Sequence, residues 1–176
     1  MNNNLAVALY ANDDDAVAAF KKIKEDNAGF TLLQMAVLKK EDDEIRHLVS
    51  YDSGANTSND TVRNTLIGAL CGLLAGPVGL LVGGGLGFMS GAAKDMIDAA
   101  HSENVFSFML HKLTEGEVAL VALTREEDES VLDSKLGAPK TTVMRWDLAV
   151  IEKQMEEAAD FQDKLVEKVS KIVGHD

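Results

Sequence analysis

The residues in this chain most suggestive of chemistry are glycines. Gly83-Gly84-Gly85-Leu86-Gly87 has the density of a loop whose bare backbone N–H groups cradle a phosphate. Its spacing misses the dinucleotide fingerprint, no clear strand leads into it, and Lys94 is not preceded by glycine, so neither nucleotide loop is formed. Metal chemistry fares no better: His47, His101, His111 and His175 are scattered, with no partner at ligand spacing. Asp13-Asp14-Asp15 and Glu41-Asp42-Asp43-Glu44 fit a helix start and a solvated turn better than a cation site. Nucleophilic catalysis lacks a Gly-x-Ser-x-Gly elbow and a cysteine paired with histidine. Ser90 lies in an apolar stretch, where its hydroxyl would bond a backbone carbonyl. Cys71, the only cysteine, precludes an internal disulfide and reads as a small apolar residue. Trp146 closes a strand as core rather than as a ligand platform. No catalytic residue, cofactor or metal is expected, and the chain reads as non-enzymatic.

Spacing gives the glycines another meaning. Thirty residues between Arg63 and Lys94 carry no charge. Within them Gly68, Gly72 and Gly76 form one row, and Gly79, Gly83, Gly87 and Gly91 a second, with Pro77 between. Residues four apart share a helix face, so each row is a strip of bare backbone that lets another helix approach closely. Each interior glycine costs a helix about 1 kcal/mol against alanine. Seven such positions require packing against something. A single span of the segment would separate the two halves of the chain across a bilayer, so a hairpin turning at Ala75 to Pro77 is expected, with arms too short to cross twice. Leucines such as Leu66, Leu70, Leu73, Leu74, Leu80 and Leu81 would then need cover from partner subunits or lipid.

The rest of the chain is ordinary for one globular unit of 176 residues, with 46% hydrophobic and 26% charged residues. A formal net charge of -12 disfavours nucleic acid and anionic lipid headgroups as electrostatic partners. The N-terminus has no basic and apolar leader pattern, so cytoplasmic residence is expected, with membrane contact through residues 64–93 as the alternative. Leu5 to Tyr10 reads as a strand, and Asn12 with three aspartates starts a helix that ends at Asn27-Ala28-Gly29. Phe30 to Leu38 and Glu44 to Tyr51 read as strands joined by a charged turn, Lys39 to Asp43, with Ile45, His47 and Val49 on one face. Asp52 to Asp60 is a linker. His101 to Leu113 has a helical apolar face at Val105, Phe108, Met109 and Leu113. Glu117 to Thr124 is a nearly continuous apolar strand, Asp128 to Leu136 a short helix closed by Gly137-Ala138-Pro139, and Thr141 to Trp146 a last strand.

The C-terminal element differs in kind. Leu148, Ile151, Met155, Ala158, Gln162, Leu165, Val169 and Ile172 alternate spacings of three and four, a heptad seam with one polar member. It reads either as a long amphipathic helix across its own domain or as a coiled coil or helix docking on another subunit.

This order of elements resembles the bacterial domain-of-unknown-function family 1269, often labelled a predicted membrane protein. The residues carrying the resemblance are Leu5 to Tyr10 with Asp13 and Asp14, the run from Gly68 through Gly72 and Gly76-Pro77 to Gly91, and Glu103 to Leu113 leading into Gly116 to Leu123. It implies an α+β, ferredoxin-like sandwich over 1–146, interrupted at 62–100 by a glycine-zipper helical hairpin, and it brings no catalytic residues. The heptad helix, 147–176, lies outside the match. The expected function is self-assembly into a homo-oligomer through the glycine rows. Insertion of the hairpin into a bilayer is the first alternative, and a ligand-sensing regulatory module the second.

Overall fold

The computed structural model describes residues 2–42, 44–54, 66–75, 105–113, 115–137 and 140–173. Five strands and five helices fall within them: β1 (Asn2–Tyr10), α1 (Asp13–Glu25), β2 (Phe30–Glu41), β3 (Glu44–Asp52), α2 (Leu66–Ala75), α3 (Val105–Lys112), β4 (Val118–Glu126), α4 (Glu129–Leu136), β5 (Val143–Asp147) and α5 (Leu148–Val173). The chain is α+β, and its strands form one antiparallel sheet in the order β3-β2-β4-β1-β5. Because β1 and β2 both run antiparallel to β4, they are parallel to each other and joined across it by α1. The same relation holds for β4 and β5, which flank β1 and are joined through α4.

Local chemistry sets the helix ends. Asn12 caps α1 by accepting the N–H of Asp15 at 2.9 Å, while its own amide donates to the Asp15 carboxylate at 2.9 Å. Gly29 turns the chain toward β2 with φ 94°, a left-handed conformation that suits glycine. Asp128 caps α4 through Ser130, and Gly137 ends it with φ 95°.

Both sheet faces are covered. Even-numbered residues of β1 and β4 (Ala6, Ala8, Val118, Leu120, Ala122) pack with Met35 and Val37 under α1 and α4, against Phe20, Ile23, Leu132 and Leu136. Odd-numbered ones (Leu5, Val7, Ala119, Val121, Leu123) face α2, α3 and α5 with Ala36, Leu38 and Trp146. Burial on both sides is why β4 reads as an unbroken apolar run.

Three expectations need correction. The turn expected over Lys39 to Asp43 is shorter, since β2 continues through Glu41 and Asp42 alone of the described turn has positive φ, at 55°. Lys39 and Lys40 are carried within the strand because both are only partly buried, and Asp13, 3.0 Å from Lys39, offsets the like charge of Arg46 opposite it in register. Second, Ile45, His47 and Val49 do not share a face. The pairing slips by one between Val37 and Leu38, leaving Leu48 as the extra residue of a bulge. Ile45 therefore packs with the α2 side, Val49 with the α1 side, and Leu48 stands 41% exposed. Third, Leu66, Ile67, Leu70 and Leu74 need neither a partner subunit nor lipid to cover them: they are buried in the protein's own core.

Candidate functional site

The residues of α2 divide sharply by direction. Leu66, Ile67, Leu70 and Leu74 are buried toward the sheet, whereas Gly68, Ala69 and Gly72 are exposed on the opposite side. The apolar positions recur at the spacing that lines one helix face, and the glycines fall between them. Among the described residues, a Cβ added at Gly68 or at Gly72 would meet nothing within 4 Å. Two members of the first glycine row thus present bare backbone outward. Gly76, Gly79, Gly83, Gly87 and Gly91, with Pro77, lie outside the described residues. Cys71 sits at the boundary of the two faces, half-buried, and burial pushes its thiol up to about 11, which disfavours the reactive thiolate.

α5 carries the other expected surface. Its first half closes the core: Leu148, Ile151 and Ala158 are buried, and Met155 packs beside them. Asp147 starts the helix by accepting the N–H of Ala149 at 2.8 Å. This half of the seam is occupied within the chain. The side chains of Gln162, Leu165, Val169 and Ile172 are outside the described residues. Trp146 is buried under α3, edge-on to Phe108 with ring centres 5.3 Å apart, which satisfies it as core.

One polar cluster was not legible as such in the sequence. Glu126, at the end of β4, has a side chain only 1% exposed, and Arg145 of β5 reaches it beneath α4. Arg145 Nε donates to Glu126 Oε1 at 3.3 Å and Nη2 to Oε2 at 3.1 Å, a two-pronged pair. Nη2 also donates to the carbonyl of Glu129 at 3.2 Å, and Thr124 Oγ1 donates to Glu126 Oε1 at 2.9 Å. Asp133 Oδ1 lies 2.6 Å from Arg145 Nη1 but off the line of its N–H, so that contact is attraction between charges rather than a directed hydrogen bond. Burial works against the Arg145 charge, and the hydrogen bonds it donates to Glu126, with the negative charges of Glu126 and Asp133 beside it, outweigh that, raising the guanidinium above its ordinary value. Both carboxylates, the buried Glu126 and the part-exposed Asp133, lie against one arginine. The cluster is a clamp tying α4 to β4 and β5. The signal was the alternation Val118, Leu120, Ala122, Thr124, Glu126, which puts Glu126 on an inward face although it opens an acidic run.

The remaining candidates resolve into structural roles. Asp13 pairs with Lys39 and Asp15 with the Asn12 cap. Tyr10 donates its hydroxyl to the Leu136 carbonyl at 2.8 Å, and burial, with Asp15 nearby, pushes it up to about 12. Among the described residues no three His, Cys, Asp or Glu side chains come together to hold a metal ion. No family model matches the chain, nor does any curated protein or solved structure, so the likeness to the family 1269 pattern rests on the quoted residues alone.

Proposed function

We propose that this chain is a non-enzymatic interaction protein that self-assembles into a homo-oligomer through helix contacts at its glycine rows. The observation supporting this is the orientation of α2: its leucines are spent on the protein's own sheet, and Gly68 and Gly72 are left facing outward four residues apart. A helix buried by one face and carrying only Gly68, Ala69 and Gly72 at its exposed positions is suited to a close backbone approach by a second helix.

The finer fold reading, a ferredoxin-like sandwich, draws support from the interlocked β1-α1-β2 and β4-α4-β5 units in the order β2-β4-β1-β5, with β3 as an added edge strand. The proposed kinship with family 1269 rests on the same arrangement, a glycine segment set between β3 and β4.

Gly72→Leu tests the assembly. Gly72 is exposed, an added Cβ there meets nothing within 4 Å among the described residues, and leucine improves helix propensity by about 1 kcal/mol, so the fold should survive. In detergent-free buffer, light scattering should give the wild type at a multiple of the 18.9 kDa chain and the variant, alone or with Gly83→Leu, at a lower mass. A wild type at single-chain mass, or an unchanged multiple in the variant, refutes the reading. Recovery of the wild type only with membranes would favour bilayer insertion instead. α2 is about 15 Å long, half the hydrocarbon layer, and no helix among the described residues is long and apolar enough to cross a membrane.

A further inference from the structure

The chain leaves the sheet after β3 and comes back to it at α2, and both points are tied to one irregularity in β2. The pairing of β2 with β4 slips by one between Leu32 and Gln34, so Leu33 is an extra residue. A bulge turns two consecutive side chains the same way. Leu33 packs into the core beneath α2, and Gln34 beside it is buried. The Leu33 carbonyl accepts the N–H of Ser53 at 2.9 Å. Gln34 Nε2 donates to Asp52 Oδ2 at 3.1 Å, and Asp52 Oδ1 accepts the N–H of Gly54 at 2.9 Å. On its other side Gln34 Oε1 accepts the N–H of Ile67 at 3.4 Å, in the first turn of α2. First-turn N–H groups have no partner within their own helix, and a buried amide left unpaired is costly.

We propose that Asp52, Gln34 and the Ile67 amide form a latch that seats α2 on the sheet in a single rotational setting. Apolar contacts alone would let the helix roll, since leucines and isoleucines are tolerant of angle. The relay from Gly54 through Asp52 and Gln34 closes on the Ile67 main-chain N–H when that end of α2 stands over Gln34, and in this setting Ile67 is buried and Gly68 and Gly72 face outward. With α2 lifted, Gln34 and Asp52 meet water and lose nothing, so the latch discriminates the seated helix from the released one. The inference concerns α2 against its own sheet and holds whatever the particle mass.

Hydrogen exchange read by peptide separates this from a general effect on stability. Asp52→Ala, at an exposed position, and Gln34→Glu, which sets two carboxylates against each other, should each raise exchange across 66–75 roughly two- to tenfold, the weight of one net hydrogen bond. Exchange across 118–126 should stay as in the wild type. The pair Gln34→Glu with Asp52→Asn reverses the donor: the new carboxylate accepts from Ile67 and from the asparagine amide, whose oxygen still accepts from Gly54. That pair should return 66–75 to wild-type protection. Unchanged exchange of α2 in Asp52→Ala, loosening of β4 in step with α2, or a double variant no better than Gln34→Glu would each overturn the latch. If Gln34→Glu fails to fold, Asp52→Ala alone decides between the first two of those outcomes and the expected one.

Discussion

Replacing Arg145 with methionine is the most direct test of how the α4 side of the sheet is held. The substitution keeps most of the apolar stem and removes the charge, leaving Glu126 with a side chain 1% exposed and one remaining donor, the Thr124 hydroxyl at 2.9 Å. A carboxylate so enclosed has lost two directed bonds and its counter-charge, and breaking a buried pair on one side costs about 3–5 kcal/mol. That is about a fifth or more of the roughly 5–15 kcal/mol that holds a domain together. With a urea slope of about 2–3 kcal/mol per molar for a chain this size, the unfolding midpoint should fall by about 1–2.5 M. Asp133→Ala should cost far less, about 1 kcal/mol at most, because a third of its side chain meets solvent. The double replacement Glu126→Leu with Arg145→Met should recover most of the loss, since apolar residues of similar volume substitute for a buried pair with little penalty. A single variant costing under about 1 kcal/mol, or a double variant as unstable as the single, would refute the assignment of Glu126 and Arg145 as a mutually dependent pair.

Two further outcomes follow from backbone and charge. Gly137→Ala places a Cβ on a residue at φ 95° and 3.1 Å from Thr141 Oγ1, so it should cost about 1–2 kcal/mol and lower the melting temperature by about 2–8 °C; an unchanged melting curve would sink it. The hydrogen bond from Lys135, then that from the Ala28 amide, hold the Asp26 carboxyl below its ordinary 3.8, so the fold binds fewer protons than the unfolded chain near that pH. Its contribution is present above 3.8 and lost as pH falls through the lower folded value. Asp26→Asn should therefore be less stable than wild type at neutral pH, with the gap closing in acid; urea midpoints differing equally at both would contradict this.

What was legible in the sequence was what nearby residues decide among themselves. Asn12, Gly29, Asp128 and Gly137 mark element ends because caps and left-handed turns are settled within a few residues. The face of Val49 was not legible, because the slip at Leu48 is fixed by which residues of β2 it must meet. Glu126 was hidden for the same reason: its partner stands nineteen positions onward and reaches it only once β5 lies beside β1. Gly68 and Gly72 fall in a helix, but periodicity alone does not say whether the leucines beside them look toward a sheet, a neighbour or lipid. Here α2 has a sheet beneath it.

The middle strand of the sheet is a late arrival. β4 wedges between β1 and β2, yet sixty-five residues stand between Asp52 and Val118, so a ribosome adding about 5–20 residues per second needs roughly 3–13 s to bring it out. Throughout that wait the newborn β1 and β2 have nothing to hydrogen-bond between them, while the oily glycine stretch is already emerging. Any self-recognition by that stretch thus competes in time with completion of the domain, and a slow codon or a bound chaperone between β3 and β4 would tilt the race toward premature clustering.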